Sequence, residues 1–200
     1  MEEIARGVWH WTGMHEGIGA PVSSYHVEPI AAVIDPMEPD EGFDWFGGRN
    51  LDRVLLTNRH HYRHADRFHA RFGVPVLAVE QGMHEIGDRP GVEAFTFGDE
   101  EIAPGVTVHP IEPSWPDEGA LHIAIGPGIL ALADGAIRYH DDLHFVPDEH
   151  LGDDPVRTKE LLRHGYGRLL ELDFDTLLVA HGSPVVGGGK EALKKFAEGG

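Results

Sequence analysis

The sequence has no cysteine among its 200 residues. The chain therefore has neither disulfides nor thiolate ligands, and any metal site must be built from histidine, aspartate, glutamate or asparagine. It also lacks an apolar run long enough to span a bilayer, and residues 1–6 lack the basic start and apolar stretch of a signal peptide. We therefore expect a cytoplasmic protein that does not bind membranes.

Basic residues are scarce. Lysine and arginine together number 16 against 34 aspartates and glutamates, which gives a formal net charge of −18. A surface of this charge repels nucleic acid and anionic membranes, so we expect neither as a partner. Histidine, by contrast, is abundant: there are 15, and four of them (His60, His61, His64 and His69) fall within ten residues.

No shift in composition marks a linker, so the length predicts a single domain spanning residues 1–200. Apolar runs separated by clusters of glycine and proline predict short strands. The predicted strands cover residues 8–12, 22–27, 30–34, 54–57, 74–79, 92–97, 106–111, 120–125, 129–133 and 176–180. Helices are predicted at 63–72, 155–172 and 190–197, the second interrupted by Gly165 and Gly167. This order is typical of a mixed α/β fold, with a strand, helix, strand unit over residues 54–79.

Three junctions at strand ends carry a family resemblance. The apolar strand 54–56 ends in Thr-Asn-Arg-His-His-Tyr-Arg-His, the strand 129–133 ends in Asp134, and the strand 177–180 ends in His181 and Gly182. In order and spacing they resemble the metallo-β-lactamase superfamily, where a buried strand ends in Thr-His-x-His-x-Asp-His, a later strand in Gly-Asp, and a last strand in Gly-His-Gly. The resemblance implies a four-layer αβ/βα sandwich with metals at the edge between its sheets.

The first motif departs from the family pattern. Aligned without gaps, its four ligand positions are occupied by Asn58, His60, Tyr62 and Arg63, so one of four is kept. A register shifted by four residues gives Tyr62, His64, Asp66 and Arg67 but moves the loop into the predicted helix. We prefer the ungapped register because the strand ends at Thr57.

A further family ligand is a histidine whose position here is taken by Ser114. His109, Glu112 and Glu118 lie nearby in sequence as possible substitutes. The resemblance therefore implies at most one ion, of zinc, iron or manganese. His60, Asp134 and His181 would hold it, with Asn58 as a weak neutral ligand.

This reading predicts a metal-dependent hydrolase acting on an ester, thioester or phosphoester. The ion would lower the pKa of water to supply the nucleophile. Asp134 and Tyr62 are the predicted catalytic residues, and Tyr62 would orient the leaving group.

Two alternatives remain open at this point. In the first, the chain is a metal-free relative that binds a small anionic ligand in the former active-site cleft. Arg63 would then replace the second metal by pairing its guanidinium with Asp134, with Arg59 nearby adding positive charge. In the second, His60 and His64, four residues apart, bind a metal on one helical face without catalysis.

Overall fold

A computed structural model describes residues 1–98, 101–111 and 117–199. The chain divides into two compact units, Met1–Thr96 and Phe97–Gly200. We call them the first and second unit and describe each separately. The single domain expected from the sequence stays a prediction.

The described residues of the first unit form one seven-stranded sheet, in which each strand lies beside the strand that precedes it in the chain. Its strands are β1 (Glu2–Ala5), β2 (Val8–His15), β3 (Ala20–Val27), β4 (Ala32–Ile34), β5 (Arg53–Leu55), β6 (Val76–Val79) and β7 (Val92–Phe95). The pairs from β1 to β4 are antiparallel, whereas those from β4 to β7 are parallel. Parallel neighbours need crossover connections, which explains why the helices of this unit follow β5 and β6.

Those helices are α1 (Ala65–Phe72) and the single-turn α2 (Met83–Ile86). The predicted strand, helix, strand unit is confirmed, since β5 and β6 are parallel and α1 lies between them in the chain. Gly73 ends α1 in the left-handed conformation at φ 70°, and its N–H donates to the carbonyl of His69. Phe68 anchors the helix, with its ring 5.0 Å from that of Phe43 and 5.4 Å from that of Phe46.

The described residues of the second unit form a five-stranded sheet in the order β14-β13-β10-β9-β8 and a separate hairpin, β11–β12. These strands are β8 (Val106–Pro110), β9 (Gly119–Ile123), β10 (Ile129–Leu132), β11 (Ile137–Tyr139), β12 (Asp142–His144), β13 (Thr176–Val179) and β14 (Val185–Val186). Helices α3 (Pro155–Leu169) and α4 (Gly189–Ala197) contribute Tyr166, Leu193 and Phe196 to the buried cluster that also includes Leu130 and Leu177.

The predicted break in α3 is wrong, because the helix runs without interruption through Gly165 and Gly167. Its first turn is capped by Asp154, whose side chain accepts a hydrogen bond from the N–H of Arg157. Leu162, Tyr166 and Leu169 recur at helical spacing and are buried. Burial of this face outweighs the helix penalty of about 1 kcal/mol for each glycine. Within the described residues, no helix has the length and apolar character needed to cross a membrane.

Candidate functional site

Asp134 and His181 of the second unit lie side by side. Strands β10 and β13 are parallel neighbours, and Leu132 pairs with Val179 in their register. Each predicted ligand follows its strand by two residues past this pair, so both side chains emerge at the same edge of the sheet. His181 Nε2 lies 2.9 Å from Asp134 Oδ1, and the two side chains are 25% and 19% exposed. Because an ionised carboxylate only accepts hydrogen bonds, Nε2 carries the hydrogen in this state.

The turn after Asp134 rests on a buried carboxylate, that of Glu118. Glu118 Oε1 accepts a hydrogen bond from the N–H of Gly135 at 3.0 Å and one from the Tyr166 hydroxyl at 3.4 Å. Burial raises the pKa of Tyr166 well above its ordinary value, and the negative charges of Glu118 and Asp134 raise it further. Tyr166 therefore stays protonated at neutral pH and acts as a donor to Glu118.

In the first unit, the buried carboxylate of Asp35, directly after β4, organises the loop that follows β5. It accepts hydrogen bonds from the Thr57 N–H at 2.9 Å and the Thr57 hydroxyl at 2.6 Å, and its Oδ2 lies 3.0 Å from His61 Nδ1. Burial acts to raise the pKa of Asp35, but the charge and hydrogen bond of His61, the charge of Arg63 and the Thr57 hydroxyl together hold this pKa below its usual value. Asp35 is therefore ionised at neutral pH.

His61, rather than His60, is the histidine that this network orients. Its Nδ1 faces the acceptor Asp35, and Thr57 Oγ1, whose own hydrogen is directed to Asp35, lies 2.8 Å away. Nδ1 therefore carries the hydrogen, and Nε2 is the nitrogen with the lone pair in the neutral ring. A carboxylate on one ring nitrogen is the usual support of a metal-ligating histidine. His61 is buried and His60 is exposed.

Sequence reasoning chose His60 by aligning the motif without gaps. The orientation of two adjacent histidines depends on the short 3-10 turn Arg59–Tyr62, which the sequence did not predict. Asn58 caps that turn: its Oδ1 accepts a hydrogen bond from the N–H of His61 at 3.1 Å. The predicted ligand role of Asn58 stays a prediction, and the observed contact is structural.

Tyr62 is buried, and its hydroxyl donates to the carbonyl of Pro90 at 3.0 Å. The Arg89 guanidinium lies 4.8 Å from the centre of its ring. These contacts anchor the loop to the segment before β7. The role of Tyr62 toward a leaving group stays a prediction.

Arg63 follows in an unusual backbone conformation, with φ 41° and ψ −114°. Its Nη1 donates to the carbonyl oxygens of Ser23 and Asp35, each at 2.7 Å. The guanidinium is therefore fixed by main-chain acceptors of the first unit. Its predicted pairing with Asp134 stays a prediction.

The two other sequence alternatives fare differently. His60 belongs to the 3-10 turn, while His64 precedes α1, so the expectation that both lie on one helical face is wrong. His64 Nδ1 accepts a hydrogen bond from the Glu38 N–H at 3.0 Å. In the shifted register, Asp66 and Arg67 are exposed residues of α1, and Arg67 pairs with Glu38 at 2.8 Å.

The remaining candidates lie in the second unit. Ser114 and Glu112 lie outside the described residues. His109 Nε2 is 3.0 Å from the Thr107 hydroxyl. Glu118 is the buried carboxylate that holds the turn at Gly135. Its place beside Asp134 depends on the pairing of β9 with β10, which sequence spacing does not reveal.

Comparison with solved structures assigns the fold. A metallo-β-lactamase from Pontibacter korlensis matches with a TM-score of 0.68 at 16% identity, over 100% of this chain and 98% of that chain. A β-lactamase domain protein from Burkholderia ambifaria matches with a TM-score of 0.67 at 17% identity, over 98% of this chain and 75% of that one. The flavodiiron protein from Giardia intestinalis gives 0.62 at 15% identity, over 98% of this chain and 58% of that one.

The chain therefore has the metallo-β-lactamase fold, and the α/β fold class predicted from the three junctions is confirmed. Comparison of the sequence with protein-family models found no match, and neither did a search of curated proteins. The identities of 12% to 17% with the structures make it a divergent example of this fold.

Proposed function

We propose that this chain is a hydrolase that binds one metal ion, of zinc, iron or manganese, through Asp134 and His181. The observation that carries the proposal is the pairing of these side chains at 2.9 Å where two parallel strands end. One carboxylate oxygen and one imidazole nitrogen are donors that suit each of these metals. The residues present therefore fit a metal of this class.

A catalytic zinc site usually has three protein ligands and one open position. In this fold family, the loop after the first buried strand supplies ligands, and that loop here contains His60 and His61. We assign His61 as the third ligand because Asp35 fixes its ring with Nδ1 protonated. This assignment replaces His60, the residue chosen by sequence alignment.

The chemistry divides between the ion and the protein. When bound, such an ion lowers the pKa of water and supplies a nucleophile for an ester, thioester or phosphoester. Asp134 and His181 orient the site from two adjacent strands, and Asp35 and Thr57 restrict the ring of His61. Arg63 keeps its positive charge at any physiological pH, which favours substrates with an anionic group.

Elemental analysis of untagged protein, purified without chelator, tests the site. We expect near-stoichiometric metal in the native chain and its loss in the variants Asp134→Ala, His181→Ala and His61→Ala. His60→Ala is the matched control and should retain the metal. A native chain that holds no ion even after incubation with zinc, iron and manganese would contradict the hydrolase. Loss of metal in His60→Ala but not His61→Ala would contradict only the choice of third ligand.

A second candidate function is metal-free binding of a small anion. The observation that favours it is the guanidinium of Arg63, held by two carbonyl oxygens in a backbone conformation that arginine rarely adopts. Inorganic phosphate is a suitable probe. Titration followed by NMR should show binding that Arg63→Gln weakens and that Arg59→Gln, whose parent side chain pairs with Glu85 at 2.7 Å, leaves unchanged. Equal binding by both variants would exclude a role for Arg63.

A further inference from the structure

Glu118 and Tyr166 form a polar contact inside the second unit that the proposed chemistry does not use directly. Glu118 is 1% exposed and Tyr166 is fully buried. A carboxylate is costly to bury, so its position requires strong local donors. Two of these are the hydroxyl of Tyr166 and the main-chain N–H of Gly135.

The contact with Gly135 fixes the backbone next to Asp134. A charge-assisted hydrogen bond from a backbone N–H to a carboxylate is about twice as strong as a neutral one. Held in this way, the peptide after Asp134 has little freedom to rotate, and the direction of the Asp134 side chain is restricted with it. Glu118 thus acts on Asp134 through the main chain.

The space around the turn supports the same conclusion. A Cβ atom added at Gly135 would lie 2.3 Å from the Tyr166 hydroxyl and 2.7 Å from Glu118 Oε1, distances that heavy atoms do not tolerate. The turn therefore packs directly on both polar groups, with no room for a side chain. Glycine is required here by this close approach.

We propose that Glu118 and Tyr166 are positioning residues, which hold the turn at Gly135 so that Asp134 meets His181. The inference rests on the proposed function for its consequence, because the paired side chains are the assigned metal ligands. It predicts that removing the Glu118 carboxylate disorders the Asp134–His181 pair even in protein that remains folded. A purely stabilising role would lower the unfolding temperature and leave that pair intact.

The test compares Glu118→Ala with Glu118→Gln, whose side-chain oxygen still accepts a hydrogen bond from Gly135. The matched control is Asp175→Ala, which removes another carboxylate that accepts from a main-chain N–H, that of Gly188 at 2.7 Å. Each variant is studied by NMR in metal-free protein, with the His181 Nε2–H resonance and the exchange rate of the Gly135 amide as readouts. Zinc affinity is then measured by calorimetry.

We expect the His181 Nε2–H resonance and the protection of Gly135 to be lost in Glu118→Ala and kept in Glu118→Gln and Asp175→Ala. Zinc affinity should fall roughly 10- to 100-fold in Glu118→Ala, the range typical of residues that support a metal ligand. Tyr166→Phe, which removes one hydroxyl, should show a smaller change of the same kind. A His181 resonance that persists in folded Glu118→Ala would overturn the proposal. A native chain that shows this resonance pattern but binds no zinc would refute the proposed hydrolase while supporting the positioning role.

Discussion

Backbone strain is concentrated near one loop of the first unit. Among the described residues, four that are not glycine adopt a positive φ: Ala31, Asp35, Arg63 and His140. Asp35 and Arg63 belong to the network around His61, with φ of 47° and 41°. Conformations of this kind cost about 1–3 kcal/mol each and persist where the surroundings fix them. Here the Thr57 and His61 contacts of Asp35, and the two carbonyls that bind Arg63, provide that constraint.

His26 provides a pH-dependent test at a single residue away from the proposed ligands. It is fully buried, its Nε2 lies 3.1 Å from the carbonyl oxygen of Asn50, and its Nδ1 has no hydrogen-bond partner. Burial lowers the pKa of His26 below its ordinary value of 6.5. The unfolded chain therefore binds a proton as the pH falls below about 6.5, while the folded chain does not, so its stability decreases.

We expect this histidine to reduce the free energy of unfolding by up to about 1.4 kcal/mol between pH 7.5 and 5.5. His26→Phe lacks this proton uptake, so its stability should fall less over the same interval. Urea denaturation of both proteins at the two pH values measures the difference. His140→Phe, at an exposed turn, is the control and should follow the native protein. Identical pH dependence in all three proteins would show that His26 is protonated in the folded state.

Two elements of the second unit, β10 and β13, bring Asp134 and His181 together. Their parallel pairing makes both carboxyl ends meet at one sheet edge, although the residues are far apart in the chain. Helix α3 covers this sheet through Leu162, Tyr166 and Leu169, and Tyr166 also reaches Glu118. The helix thus serves the core and the turn beside the proposed ligand at once.

The glycines of α3 predict a stability change. A Cβ atom added at Gly167 meets no heavy atom within 4 Å. Because alanine is favoured over glycine in helix interiors, Gly167→Ala should stabilise the protein by about 0.5–1 kcal/mol. Gly135→Ala, where the added atom collides with Tyr166 and Glu118, is the opposite case and should destabilise it by about 1–3 kcal/mol. Chemical denaturation measures both, and a loss of stability in Gly167→Ala would indicate a clash that the structure does not show.

For the molecule as a whole, the dominant electrostatic feature is the net charge of −18. Repulsion among surface carboxylates opposes the compact state, and salt screens exposed charges over a Debye length of about 10 Å at 0.1 M. Most of the acidic residues described here are exposed. The folded chain should therefore depend on ionic strength for part of its stability.

We expect the unfolding temperature to rise between 0.02 and 0.5 M potassium chloride, flagged here as roughly a few degrees for a 1 kcal/mol gain. Potassium chloride is chosen because chloride and potassium are weakly excluded salts, so screening dominates over surface exclusion. A variant with several exposed glutamates replaced by glutamine should start higher at low salt and respond less. An unfolding temperature that is independent of salt would contradict the role of charge repulsion.

The sequence by itself determined the α/β class, the strand, helix, strand unit and the positions of Asp134 and His181 at strand ends. These features are visible because apolar periodicity and turn residues are local signals. The tertiary structure alone decided that His61 contacts Asp35, that Glu118 meets Gly135, and that α3 continues through its glycines. Each of these depends on residues many positions apart, whose contact is set by strand register and core packing rather than by neighbouring sequence.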